Sequence, residues 1–287
     1  MAGSNGSVDV AVEPFFLDTP NGRLFMAHHR PRDVSKIRGH VLVVPPFNEE
    51  MNRCRSMMTL QAQALAAFGF GTLIIDLHGT GDSDGEYRDA RWEIWLSDIV
   101  TAQQWLMAQP GGLKAILGIR LGAILASTAH AELGKPDVAL VLWQPVLDGK
   151  VHLTQFFRVR MAARLDRPDL PKETTASMRQ QLASGLTLEV AGYEIHPALA
   201  EAIEGASLAG HPLLAGSSAL WLENASPEKL EIPLGSRNAL QTWNAAGAAV
   251  DVIAYPGPAF WQVHERVIGV TIIEKTGCWL NEKVAGR

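Results

Sequence analysis

Cysteine is nearly absent from this chain. Cys54 and Cys278 are the only two among 287 residues, and they stand far apart. Such a pair builds neither a disulfide framework nor a paired-cysteine zinc site, so a reducing compartment, the cytoplasm, is expected. Long apolar runs are lacking too, and no stretch reaches the length of a membrane span. Nor is there a basic excess. Lys and Arg number 25 against 30 Asp and Glu, a net charge of -5, which argues against nucleic-acid or polybasic membrane binding. Residues 1–13 show no basic region followed by an apolar core, so a flexible start is expected rather than a signal peptide. No His/Glu pair has metal-ligand spacing, the adjacent His264-Glu265 included, and neither metal nor cofactor is expected.

What the chain does have is apolar residues in bulk, 47% of the total, enough for the core of one large domain. Pro20-Asn21-Gly22, between residues 15–17 and 24–29, predicts a hairpin. Residues 41–44, 72–77, 113–117 and 138–143 are continuous apolar runs, as in parallel strands covered on both faces. Helical spacing marks residues 57–68 and 92–106 between them. Strand character returns at 219–222 and 250–254, with a helix near 238–246 and a closing helix over 264–280. Between 150 and 214 the pattern shifts to more charge and proline, with short helical pieces at 179–182 and 197–203. This alternation predicts an α/β fold with a mostly parallel central sheet, residues 14–149 and 215–287, and a helical cap inserted at 150–214.

One stretch stands out. Gly118-Ile119-Arg120-Leu121-Gly122-Ala123 joins an apolar strand to an alanine-rich helix through a tight turn flanked by small residues. The spacing is that of a G-x-S-x-G nucleophile elbow with arginine at its centre. A guanidinium stays protonated and has no lone pair with which to attack a carbonyl. The elbow is in place and its nucleophile is missing.

The strand order and the loop Asp76-Leu77-His78-Gly79-Thr80-Gly81-Asp82-Ser83 resemble the α/β-hydrolase superfamily. More narrowly, the chain resembles the exosortase A system-associated hydrolases of the ortholog 2 type. The residues carrying this are Pro45-Pro46-Phe47-Asn48-Glu49-Glu50-Met51-Asn52, Gly118 to Ala123, Ala191-Gly192-Tyr193 and Gly257-Pro258-Ala259-Phe260-Trp261-Gln262. The resemblance implies an α/β-hydrolase fold, arginine as the usual residue at the elbow, and a place beside an export system tied to extracellular polysaccharide. Partner proteins of that system are implied, and so is a small-molecule substrate or ligand.

Several residues are candidates for a site. An oxyanion hole would use the backbone N–H of Leu121 and of Phe47 or Asn48. A buried Arg120 needs a counter-charge, expected from Glu49 or Glu50 in a loop facing the elbow, with Asn52, Arg53 and Arg55 in the same polar cluster, or else from Asp148 past the strand ending at Trp143. Arg120 binding an anionic ligand is the competing reading. His264 is the one histidine near the position of a triad base, and Asp148 or Glu223 would be its acid; each also has a plain structural reading. Cys54 carries no sign of a lowered pKa, and Ser83 and His78 are expected to brace their turn. Trp261 and Phe260, opposite Phe47, would wall a pocket. Three functions follow: an ester or thioester hydrolase or transferase using water or His264, an inactive ligand-binding protein, or a scaffold.

Overall fold

The computed structural model describes residues 10–164, 172–211 and 213–285. The chain opens with a hairpin, β1 (Val10–Thr19) and β2 (Gly22–Pro31), whose register pairs Thr19 with Gly22 across the Asn21 turn. β1 begins at Val10, so residues 10–13, expected to be loose, are paired strand; residues 1–9 lie outside the described residues. Four strands follow with intervening helices. They are β3 (Gly39–Val44), α1 (Glu49–Ala67), β4 (Phe70–Ile75), α2 (Trp92–Met107), β5 (Leu113–Ile119), α3 (Gly122–Leu133) and β6 (Ala139–Trp143). An inserted segment then carries α4 (Gly149–Ala163), α5 (Thr175–Ala183), a small hairpin of β7 (Leu188–Val190) and β8 (Tyr193–Ile195), and α6 (Pro197–Gly205). The chain returns through β9 (Ser218–Asn224), α7 (Leu234–Ala245), β10 (Ala249–Tyr255) and α8 (Val270–Ala285).

Eight strands form one sheet in the order β1-β2-β4-β3-β5-β6-β9-β10. The first two pairings, β1 with β2 and β2 with β4, are antiparallel, and the rest are parallel. Helices cover both faces, which is why the inner strands read as unbroken apolar runs. Leu42 and Val44 join the larger core cluster under α2 and α3, while Val41 and Val43 join the cluster under α1 and α8. No helix among the described residues is long and apolar enough to cross a membrane.

Two helices depart from expectation. α1 begins at Glu49, not near Met57, so Glu49, Glu50, Asn52 and Arg53 sit on a helix rather than in a loop. Met51, Cys54, Met58 and Leu65 hold its buried stripe through the polar residues, and two carboxylates in the first turn suit the positive helix end. α8 begins at Val270, which leaves His264 in the preceding loop. Its β-branched run is tolerated because Ile272, Thr276, Trp279 and Leu280 recur on one buried face, so packing overrides propensity.

Candidate active site

The site lies at the carboxyl ends of the parallel strands, where ligands bind in open α/β sheets. Four non-glycine residues among those described have positive φ, and three of them follow β3, β5 and β6: Asn48 at 52°, Arg120 at 55° and Gln144 at 44°. Strain of this kind gathers at functional sites. The elbow also demands its small neighbours. A Cβ on Gly122 would lie 2.2 Å from the Pro45 carbonyl oxygen, and one on Gly118 would lie 2.6 Å from Ala123 Cα. The Arg120 N–H donates to the Trp143 carbonyl at 3.0 Å, and its carbonyl accepts from Val146 at 3.1 Å. The turn is thereby tied to the end of β6.

The Arg120 side chain is only 13% exposed, and it is held from three sides. Nε donates to Glu50 Oε1 at 3.1 Å and Nη1 to the Gln144 carbonyl at 3.1 Å, while the guanidinium lies 5.4 Å from the centre of the Trp261 ring. Glu50 is thus the counter-charge. Burial pushes its carboxyl above the usual range, against the pull of Arg120 and Arg53. Glu49 pairs instead with Arg53, one turn on, at 3.0 Å. Arg53 also donates to the carbonyls of Trp261 and Gln262, so it fastens the loop after β10 to α1. Asn52 donates to the Tyr193 hydroxyl at 3.4 Å, and Arg55 pairs with Asp76 at 2.7 Å, outside the Arg120 cluster.

None of the expected triad partners is placed for that role. His264 is exposed and stands 3.5 Å from Arg53 Nη2, beside a cation rather than a carboxylate. Asp148 caps α4, accepting from the Val151 N–H at 2.9 Å. Glu223 is buried with both oxygens engaged, one by Trp221 Nε1 at 3.0 Å and the other by the Ser236 hydroxyl at 2.9 Å, and burial raises its pKa. Burial likewise raises the Cys54 thiol, the nearby Glu50 adding to it, so thiolate chemistry is closed there. Ser83 braces its turn, donating to the Asp76 carbonyl at 2.6 Å and accepting from the Phe25 N–H at 2.8 Å. Phe260 is core, packed on Trp143, and does not line the pocket.

The backbone N–H groups of Phe47 and Leu121 meet no acceptor among the described residues, and both residues line a cavity of about 520 Å³. Asn48 and Tyr87 line it too; burial raises the Tyr87 hydroxyl well above its usual pKa, and a hydrogen-bonding contact with the Asn48 amide opposes this. Arg120 is not part of that wall. It faces two further cavities, together with a residue the sequence did not single out, His152 of α4. The His152 ring is 5.9 Å from that of Phe47. Burial, with Arg120's charge adding to it, lowers its pKa to about 3, so the imidazole is neutral. Its one sequence signal is position: four residues after the cap Asp148, on the helix leaving β6.

The sequence model of the family described as serine aminopeptidase, S33, matches residues 35–207. The chain belongs to this family. With it comes the α/β-hydrolase superfamily, and solved structures agree on the fold. An Est1E from Butyrivibrio proteoclasticus with ferulic acid bound is 14% identical, with a TM-score of 0.65 over 94% of this chain and 99% of that one. A thermostable carboxyl esterase from Bacillus coagulans in complex with glycerol is 15% identical, with a TM-score of 0.63 over 96% and 99%. The thioesterase domain from the curacin biosynthetic pathway is 17% identical, with a TM-score of 0.53 over 96% and 99%. No curated protein matches the sequence.

Proposed function

We propose that this protein binds an ester-, thioester- or carboxylate-bearing intermediate of exopolysaccharide or envelope metabolism, and that it forms no acyl-enzyme. The observation that carries this reading is the pairing of a kept pocket with a lost nucleophile. Phe47 and Leu121, whose N–H groups meet no acceptor among the described residues, line a cavity of about 520 Å³. Meanwhile Arg120 replaces serine and is held by Glu50, Gln144 and Trp261. Losing the serine of a triad removes about 10⁶-fold in rate in enzymes of this logic. The fold and family support an acyl-type ligand, and the motif resemblance supports the polysaccharide context, including a partner protein of an exosortase system.

The test combines reactivity and binding. A fluorophosphonate probe is expected to leave the protein unlabelled, and p-nitrophenyl butyrate and butyryl-CoA to be hydrolysed only at background rates. Butyrate is expected to raise the melting temperature, and Asn48→Ala to abolish the shift. Labelling with turnover would overturn the reading. One placement bears on a second reading, hydrolysis by water without serine: His152 stands beside Arg120 on a cavity wall, although a pKa lowered to about 3 makes it a weak general base. Its signature would be turnover of either substrate without labelling, lost in His152→Ala.

A further inference from the structure

An open sheet ends in two edges, and the two edges of this one differ. β1 carries Pro14, which has no N–H, and the charges of Glu13 and Asp18, all of which discourage pairing with a further strand. β10, at the other end, holds no proline and no lysine, and its register with β9 runs without a bulge. The Ala249 N–H donates to the Ser217 carbonyl and the Tyr255 carbonyl accepts from the Ala225 N–H, so the odd-numbered residues turn their backbone groups to β9. Alternate residues of a strand point these groups to opposite sides. Val250, Val252 and Ala254 therefore turn theirs outward, where no strand among the described residues pairs with them. The Val252 side chain is 38% exposed.

Charge and register together select an occupant. Asp251 is the one charged side chain of β10. It is turned to α8, accepting from Trp279 Nε1 at 2.7 Å and pairing with Lys283 at 3.0 Å, so the edge presents no net charge. Laid antiparallel on itself about a two-fold axis at Val252, the strand matches Val252 with Val252 and Val250 with Ala254. Every such pair is of outward-facing residues and exchanges two N–H···O=C bonds. Asp251 then falls opposite Ile253 of the second copy, and no like charges face each other. A slip of one residue would set outward groups against groups already bonded to β9. An axis at Asp251 would bring two carboxylates face to face.

We propose that β10 is a dimerisation edge, paired antiparallel with β10 of a second copy of this chain about a two-fold axis at Val252. The central sheet then runs on through both copies. Because the two β10 strands run in opposite directions, the carboxyl ends of the two sheets face opposite ways and both sites stay open. The edge lies apart from the site, so the proposal stands whatever the ligand.

Sedimentation velocity of the full chain between about 1 and about 200 µM tests it. One strand pair is a small interface, and a dissociation constant on the order of 10 µM is expected. Val252→Pro removes the donor at the centre of the ladder in both copies, an N–H that the single chain leaves unused. It is expected to weaken the dimer at least about tenfold with little change in melting temperature. Val252→Lys keeps the N–H and sets two ammonium groups opposite each other. It is expected to weaken the dimer more at low salt than at high salt, and it carries the test if Val252→Pro does not fold. A parent that stays monomeric throughout overturns the proposal and leaves the edge to an extended segment of another protein. A folded variant that dimerises as tightly as the parent overturns it too, by placing the contact on another surface.

Discussion

A buried guanidinium and its carboxylate set the character of the site, and their interdependence is measurable. Removing one partner of a buried pair strands the other, at a cost of about 3–5 kcal/mol, whereas replacing both with apolar groups is often near neutral. Arg120→Met is therefore expected to destabilise the protein by about 3 kcal/mol at pH 8, in urea unfolding. Glu50→Leu combined with Arg120→Met should recover to within about 1 kcal/mol of the parent. The single variant carries a pH signature. Burial already raises the Glu50 carboxyl, and losing Arg120 raises it further. A folded-state pKa above the unfolded one gives stability that is present at low pH and lost as pH rises through the folded value. The Arg120→Met defect should shrink at pH 5. The need for a partner could be read from the elbow letter alone, because a cation cannot be buried unpaired. Which of the two glutamates it would be could not. That depends on α1 starting at Glu49, which turns Glu50 inward and leaves Glu49 to bridge Arg53 one turn along.

At the scale of elements, the β-α alternation was legible because both faces of the sheet are covered, and covered strands announce themselves as apolar runs. The inserted segment was less so. β7 and β8 are three residues each, too short for any period to show. α4 carries His152 to the site only because it leaves β6 across the carboxyl end of the sheet, a fact of chain direction and not of local pattern. The small hairpin also stores a correctable strain. Ala191 sits at φ 53° in its turn, beside Gly192 at 86°. A left-handed residue with a Cβ costs roughly 1–2 kcal/mol, which glycine avoids. Ala191→Gly should raise stability by about 1 kcal/mol in chemical denaturation. Since Tyr193 of β8 lines the larger pocket and is bonded by Asn52, butyrate binding should be kept.

The whole molecule is built to resist charging at several buried histidines. Burial lowers His28 to about 4, His40 adding to it, and His152 to about 3. Their unfolded values lie near 6.5. The unfolded chain therefore binds protons that the folded chain refuses, and stability falls as pH drops from about 6.5 towards 4. Each of these two histidines should remove about 2 kcal/mol by pH 5 relative to pH 8. Urea midpoints across that range measure it, and His28→Phe should flatten the slope. A last consequence belongs to the Arg120–Glu50 pair and concerns speed. A net charge of -5 repels polyanions at long range, and the one cation at the centre of the site is cancelled within 3.1 Å. Nothing here steers a charged molecule inward from a distance. Capture must wait for collision: the association rate of a neutral ester should be indifferent to ionic strength, and that of a carboxylate should rise as salt screens the repulsion.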